Sequence, residues 1–349
     1  MENIKINKLP APTYRHLKMN FAEVAEADYS AIEPEIEVPE GISLEKTGGA
    51  LDIETGCGEE ITALLDKLGV YTLSAAKAVS EPARAEIKLK EGEAQAVRIE
   101  LKAAAGAELT AVEFIESDEN SSGRAAVQTV MRAAEGAKLH LIQIIRVGSG
   151  FELINDIGAD EGDRAYIEIT QLYLGGGRVY GGLTDKLGGY MSELRNDIGY
   201  LLKNEEKLDI NILASHMGKK SNCEINARGV LSDRSSKIFR GTIDFINGAS
   251  GSKGAENEEV LLMNEEVVNK TVPLILCAEE DVEGSHGASI GRLNEEFIFY
   301  MMSRGLSLER IYEIMANAKI ETVMRRIDDK AALDRIYGYI GGGSEDDGE

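Results

Sequence analysis

The chain has 349 residues, with 38 Lys plus Arg against 61 Asp plus Glu, for a net charge of −23 at pH 7. That balance excludes nucleic acid and an anionic membrane surface as partners, because both polyanions are held by dense cationic contacts, and no local basic patch stands out in the sequence. Three cysteines, Cys57, Cys223 and Cys277, are too few and too scattered for a disulfide framework and show no CxxC spacing. Reduced thiols in a cytoplasmic protein are the expectation: the opening MENIKINKLPAPTYRHLKMN has no apolar signal-peptide core, and no run approaches the roughly 18 apolar residues of a membrane span.

Residues 1–85 read as a mixed segment. LPAPTYRHLK is punctuated by proline, and Glu59 to Leu68 (EEITALLDKL) carries apolar residues at helical spacing. Over residues 86–292 the period changes to two, in short runs such as AEIKLK, AVRIEL, LHLIQIIRV, LDINILA and NCEINARGVL. Gly-, Asn- or charge-containing turns separate these runs, with no helical stretch long enough for a βαβ unit. Two mainly β architectures remain. One is a large antiparallel sandwich; the other is a stack of coils of roughly 20 to 50 residues, each adding a strand to several parallel sheets. The short, numerous, Gly-rich turns favour the coils.

After Ile290 the pattern turns helical, and residues 293–340 are expected to form a helical region. Asn294 can cap a helix through EEFIFYMMSR, with Glu295 and Glu296 in its first turn and Gly305 ending it. Ser307 is a second N-cap, followed by Leu308, Ile311, Met315, Ala318 and Val323 near helical spacing. The tail, 341–349, is expected to be disordered.

The densest chemistry is LCAEEDVEGSHGASIG, Leu276 to Gly291, which places a thiol, carboxylates and an imidazole within ten residues at the junction of the last strand and the first C-terminal helix. Cys277 and Glu279 share a face if VPLILCA is a strand, and the turn through Gly284 and Gly287 can return His286 towards them. Thiolate, carboxylate and imidazole are all competent iron ligands. The plainer alternative keeps Cys277 as a small core residue and His286 as a hydrogen-bonded structural one. Cys223 is either a coil-filling thiol or, in a stack of coils, a neighbour of Cys277. Cys57 reads as part of a turn, and His140 and His216 read as structural. There is no GxxxxGK[ST] loop, no GxGxxG opening a helix and no GxSxG elbow. Carboxylate pairs for a glycosidase cannot be picked out among 61 acids, so a carbohydrate-active β-helix enzyme rests on fold analogy alone.

The segment ASHMGKKSNCEINARGVLSDRSSKIFRGTIDFINGA, then EEVLLMNEE, then EDVEGSHGASIGRLNEEFIFYMMSRGL, resembles the SufB/SufD family of iron–sulfur cluster assembly proteins, and its SufD-type members more closely. The resemblance implies a right-handed parallel β-helix core and a C-terminal helical region that docks on the SufC-type ABC ATPase. It also implies pairing with a SufB/SufD-like subunit, or with a second copy as a homodimer. The chain would then be a scaffold or scaffold partner and not an enzyme, with ATPase activity supplied by SufC and clusters passed to acceptor apoproteins. His286 matches the histidine of the family's SHGA-type motif, implicated in cluster formation. Gly287 stands where scaffold-type members have Glu, and Gly284 where SufD-type members often have Cys. The ligand set the resemblance leaves for a transient iron–sulfur cluster is Cys277, Glu279, Glu280 and His286, with Cys223 as a further thiol; whether flavin (FAD) binds is left open. Phe297, Tyr300, Met301, Arg304, Leu308 and Ile311 match the ATPase-docking region. The plain alternative for that region is packing over the end of the solenoid, which needs its edge covered.

Overall fold

A computed structural model describes residues 3–341; the tail expected to be disordered lies, from residue 342 on, outside them. The N-terminal segment holds β1 (Asn3–Ile6) and β2 (Ala22–Ala25), an antiparallel pair, then β3 (Ser30–Ala31), β4 (Glu35–Glu37), β5 (Ile42–Thr47) and α1 (Glu59–Leu65). The coils follow. One sheet takes alternate strands β6 (Val70–Ala75), β8 (Ala94–Ala103), β10 (Ser122–Ala133), β12 (Gly150–Glu161), β14 (Arg178–Leu187), β16 (Lys207–His216), β18 (Ser236–Phe245) and β20 (Val268–Cys277). The other takes β7 (Ala83–Lys88), β9 (Glu108–Glu116), β11 (Lys138–Arg146), β13 (Tyr166–Tyr173), β15 (Glu193–Leu202), β17 (Asn222–Leu231), β19 (Ser252–Leu262) and β21 (Val282–Gly291).

Within each sheet these strands pair in parallel, between residues 26 to 32 apart, from Glu152↔Arg178 to Ser236↔Val268. The result is a parallel β-solenoid of about eight turns, with two sheets where several were anticipated. Every inward position alternates with an outward one, so Ile, Leu, Val and Ala from both sheets fill one continuous core from Leu73 to Val260. The turns stack as well: Gly106 and Gly136 occupy successive turns with φ +68° and +64°, a conformation that costs a side-chain-bearing residue more. Their N–H groups donate to Glu135 O and Asp163 O of the next coil.

The run of stacked coils begins at Val70, whereas period two placed the start of the core at residue 86. The reason is burial on both faces. Five of the six residues of β6 are buried, Val70 and Thr72 on the outer face among them, and a strand buried on both sides loses the alternation that marks it in sequence. The N-terminal segment corrects the reading of charge. The β1–β2 pairing returns residues 15–23 onto residues 5–8, so that Lys5, Lys8, Arg15 and Lys18 line one cleft with Glu23.

Three helices close the chain: α2 (Glu295–Ser303), α3 (Leu308–Met324) and α4 (Lys330–Gly341). The expected caps hold: the Asn294 side chain accepts from Glu296 N–H and Ser307 from Arg310 N–H, and Gly305 stands between the helices at φ +92°. Ile320, Val323 and Met324 of α3 and Ala332 and Ile336 of α4 bury against Val112, Phe114, Ile142, Ile144 and Leu172. The helices therefore cover the outer face of the second sheet over its middle coils. No helix among the described residues is long and apolar enough to cross a membrane.

Candidate functional site

The last coil carries the residues singled out in the sequence. Cys277 ends β20, in register with Phe245, and His286 lies on β21, in register with Glu256. No further strand pairs with β20 or β21 among the described residues. Nothing on β21 is buried, so His286 is open to solvent at the end of the solenoid.

The strand stops at Cys277, and the alternation that would have set Glu279 on its face stops with it. The Cys277 thiol, exposed, donates to Glu279 O at 3.1 Å. The Glu279 carboxylate accepts the Gly248 and Glu280 N–H groups, each at 2.9 Å. These backbone donors hold its pKa below the ordinary carboxylate range, Gly248 foremost. Glu279 thus organises the turn, while Glu280 is exposed beside it.

Stacking does not bring Cys223 to Cys277. Cys223 is fully buried on β17, in the column Cys223↔Gly254↔Gly284. Cys277 heads another column, on the facing sheet, running through Phe245 to His216. Phe245 stacks on the His216 ring at 4.7 Å. His216 Nε2 lies 3.2 Å from Cys223 Sγ, and Nδ1 lies 2.7 Å from Ser221 Oγ. Burial drives the His216 pKa down to about 4 and the Cys223 thiol well up, so both are neutral near pH 7. His140 is likewise structural, hydrogen-bonded to Thr170 Oγ1 at 3.0 Å. Cys57 sits in a turn, as expected, but buried, its N–H donating to Asp156 Oδ1 at 2.7 Å. Among the described residues no three His, Cys, Asp or Glu side chains converge closely enough to hold a metal ion.

Sequence reasoning missed the groups beneath His286. Glu256 and Glu258 alternate along β19 and are buried, and Lys237, also buried, pairs with Glu258, which accepts Thr271 Oγ1 at 2.7 Å. Burial, reinforced by Glu258, pushes Glu256 up to about 7. The available signal was AENEEVLL, with acids at inward positions of a strand flanked by apolar coils.

At the proposed docking region, α2 buries none of its residues. Phe297, Tyr300, Arg304 and Leu308 are exposed and Met301 half-buried, with the Arg304 guanidinium 5.1 Å from the Tyr300 ring centroid. Phe299, at 75% exposure, and Met302 are exposed as well, on the opposite side of α2 from Phe297 and Tyr300. Ile311 departs from expectation: it lies on the buried side of α3 itself and cannot contribute to an exposed surface.

With the solenoid and its exposed last coil described, comparison with known sequences places the chain. The family model for "SUF system FeS cluster assembly, SufBD core domain" matches residues 87–319, and the chain belongs to that family. It is similar to the iron–sulfur cluster assembly protein SufD of Bacillus subtilis, 31% identical over 125 residues, covering 36% of this chain and 29% of that protein. It is also similar to SufD of Escherichia coli, 26% identical over 247 residues, covering 70% of this chain and 58% of that protein. A SufBD family protein of Pyrococcus horikoshii is 33% identical over 113 residues, covering 32% of this chain and 25% of that protein. In each case the match spans less than two thirds of the relative's own length.

Proposed function

We propose that this chain is a cytosolic subunit of a SUF-type iron–sulfur assembly complex, a scaffold or scaffold partner and not an enzyme. One observation carries the reading: the family match over residues 87–319 includes the last solenoid coil, which is left unpaired among the described residues and carries His286. In this reading β20 and β21 add to the equivalent edge of a SufB/SufD-like subunit or a second copy, since an open strand edge offers a row of unpaired N–H and C=O groups. The iron and sulfide are cargo. His286 and Cys277 meet them at that junction, with Glu280 exposed nearby and Glu279 shaping the turn. A full ligand set then requires the partner, in keeping with the lack of three convergent ligands among the described residues. The side of α2 that carries Phe297, Tyr300, Met301 and Arg304 docks a SufC-type ABC ATPase, which supplies the ATP chemistry, and finished clusters pass to acceptor apoproteins.

The test is anaerobic co-expression with the cognate SufC-type ATPase and SufB/SufD-type subunit, followed by iron, sulfide and visible absorbance measurements on the purified complex. The expected result is a stable complex whose cluster signal falls with His286→Ala and Cys277→Ser. A complex with unchanged signal in both variants makes this chain a purely structural partner. Failure to form any complex, where a control pair assembles, overturns the reading.

A further inference from the structure

Glu161 and Asp185 occupy inward positions of neighbouring strands in the middle of the solenoid. Asp185 is in register with Ala159 and Ala214, and Glu161 with Ala133, so the two acids stand diagonally, one coil apart. Both side chains are buried, and all four of their carboxylate oxygens lack a hydrogen-bond partner. No other fully buried carboxylate oxygen among the described residues is left so. Asp156 accepts from Cys57 N–H and Gln128, Glu113 from Gln143 and Thr129, and Glu258 pairs with Lys237. Ser192 Oγ, at 0% exposure and also unpartnered, is turned towards Glu161 from the turn that leads into β15.

An unpaired carboxylate in a dry interior is among the costliest arrangements a fold can hold, and here two lie side by side. The nearby cations cannot relieve them, because Lys186 pairs with Glu54, and Lys102 and Arg132 pair with Glu100, all on the outward face. Both nitrogens of His216, on the next coil, are engaged by Ser221 and Cys223. A single proton shared between the acids needs their oxygens in direct contact, about 2.5–2.7 Å apart; no hydrogen bond joins Glu161 and Asp185.

The geometry points to a site for a hydrated divalent cation of the Mg²⁺ or Mn²⁺ class, held inside the solenoid by the Glu161 and Asp185 carboxylates and the Ser192 hydroxyl. Two carboxylates, one hydroxyl and water form an all-oxygen shell, the donor set that hard divalent cations select. A cleft of about 580 Å³ is lined from outside by the turn at Asp160, Glu161 and Gly162. The site lies coils away from the Cys277 and His286 edge and does not depend on the function proposed above.

Mn²⁺ titration of the chelator-treated full chain, followed by the loss of the free-ion EPR signal at about 0.15 M salt to screen surface carboxylates, tests this. One Mn²⁺ per chain is expected, with a rise in Tm. Glu161→Gln and Asp185→Asn, which preserve shape, should each weaken binding by more than about tenfold, and Ser192→Ala by about tenfold, with circular dichroism confirming the fold. The proposal is overturned if the wild type binds no stoichiometric Mn²⁺, or if the double variant Glu161→Gln, Asp185→Asn binds it as tightly as the wild type. A double variant that fails to fold is replaced by Ser192→Ala, whose unchanged affinity would equally remove the site.

Discussion

From β12 to β17 about three quarters of the residues are buried, whereas β21, built from the same extended pattern, buries none. A middle coil has strands above and below, inward side chains meeting those of the facing sheet, and helices α3 and α4 over part of its outer face. The last coil has a neighbour on one side only. Its backbone groups and its chemistry, Cys277 and His286, therefore face outward together. In a solenoid the interior is where stability is made, and the unfinished end is where a partner can be recognised.

The largest test of that contrast concerns the charge pair just inside the open end. Lys237→Met leaves Glu258 buried without its partner and should cost about 3–5 kcal/mol in chemical denaturation. A loss below about 1 kcal/mol would mean that water already reaches this coil and that the interior ends sooner. Next, Ile225→Ala, on the fully buried lumen side of β17, should cost about 2–5 kcal/mol, while Ile290→Ala, on exposed β21, should stay within about 0.5 kcal/mol. Similar losses at both sites would show that the edge is covered in the isolated chain.

A smaller effect, spread over pH, comes from Glu113. Burial raises its pKa from 4.5 to about 7 despite hydrogen bonds from Gln143 and Thr129. Between those values the folded chain keeps a proton that the unfolded chain has released, so stability falls as pH rises, by up to about 1.4 kcal/mol per unit. Above pH 7 the penalty is constant. Glu113→Gln should flatten this slope relative to the wild type in denaturation curves taken from pH 5 to 8; parallel curves would show Glu113 ionised throughout. Thiol labelling carries no stability cost at all. Cys277 should react promptly with a maleimide in the native protein, and Cys57 and Cys223 only on unfolding. Native labelling of Cys223 would show that the middle coils open.

Much of this was legible in the chain. Alternation of Ile, Leu and Val with polar residues announced the strands, Asn294, Gly305 and Ser307 announced the helix limits, and SHGA pointed to the coil that carries His286. These signals are local, set by side-chain period and by caps that act within one turn. The doubly covered strand β6 was not legible, because burial on both faces erases alternation. Nor was the basic cleft of the N-terminal hairpin, whose cations are separated in sequence and gathered only by pairing. Tertiary structure alone decided which thiol meets which imidazole. Cys223 and His216 touch because a turn folds two strands onto facing sheets, while Phe245 holds Cys277 a full coil away. It also decided that Ile311 faces inward, and that Glu161 and Asp185 stand together without partners. Coil length, 26 to 32 residues here, sets which distant residues share a column, and that register follows from packing summed over the whole stack, which no short stretch of sequence contains.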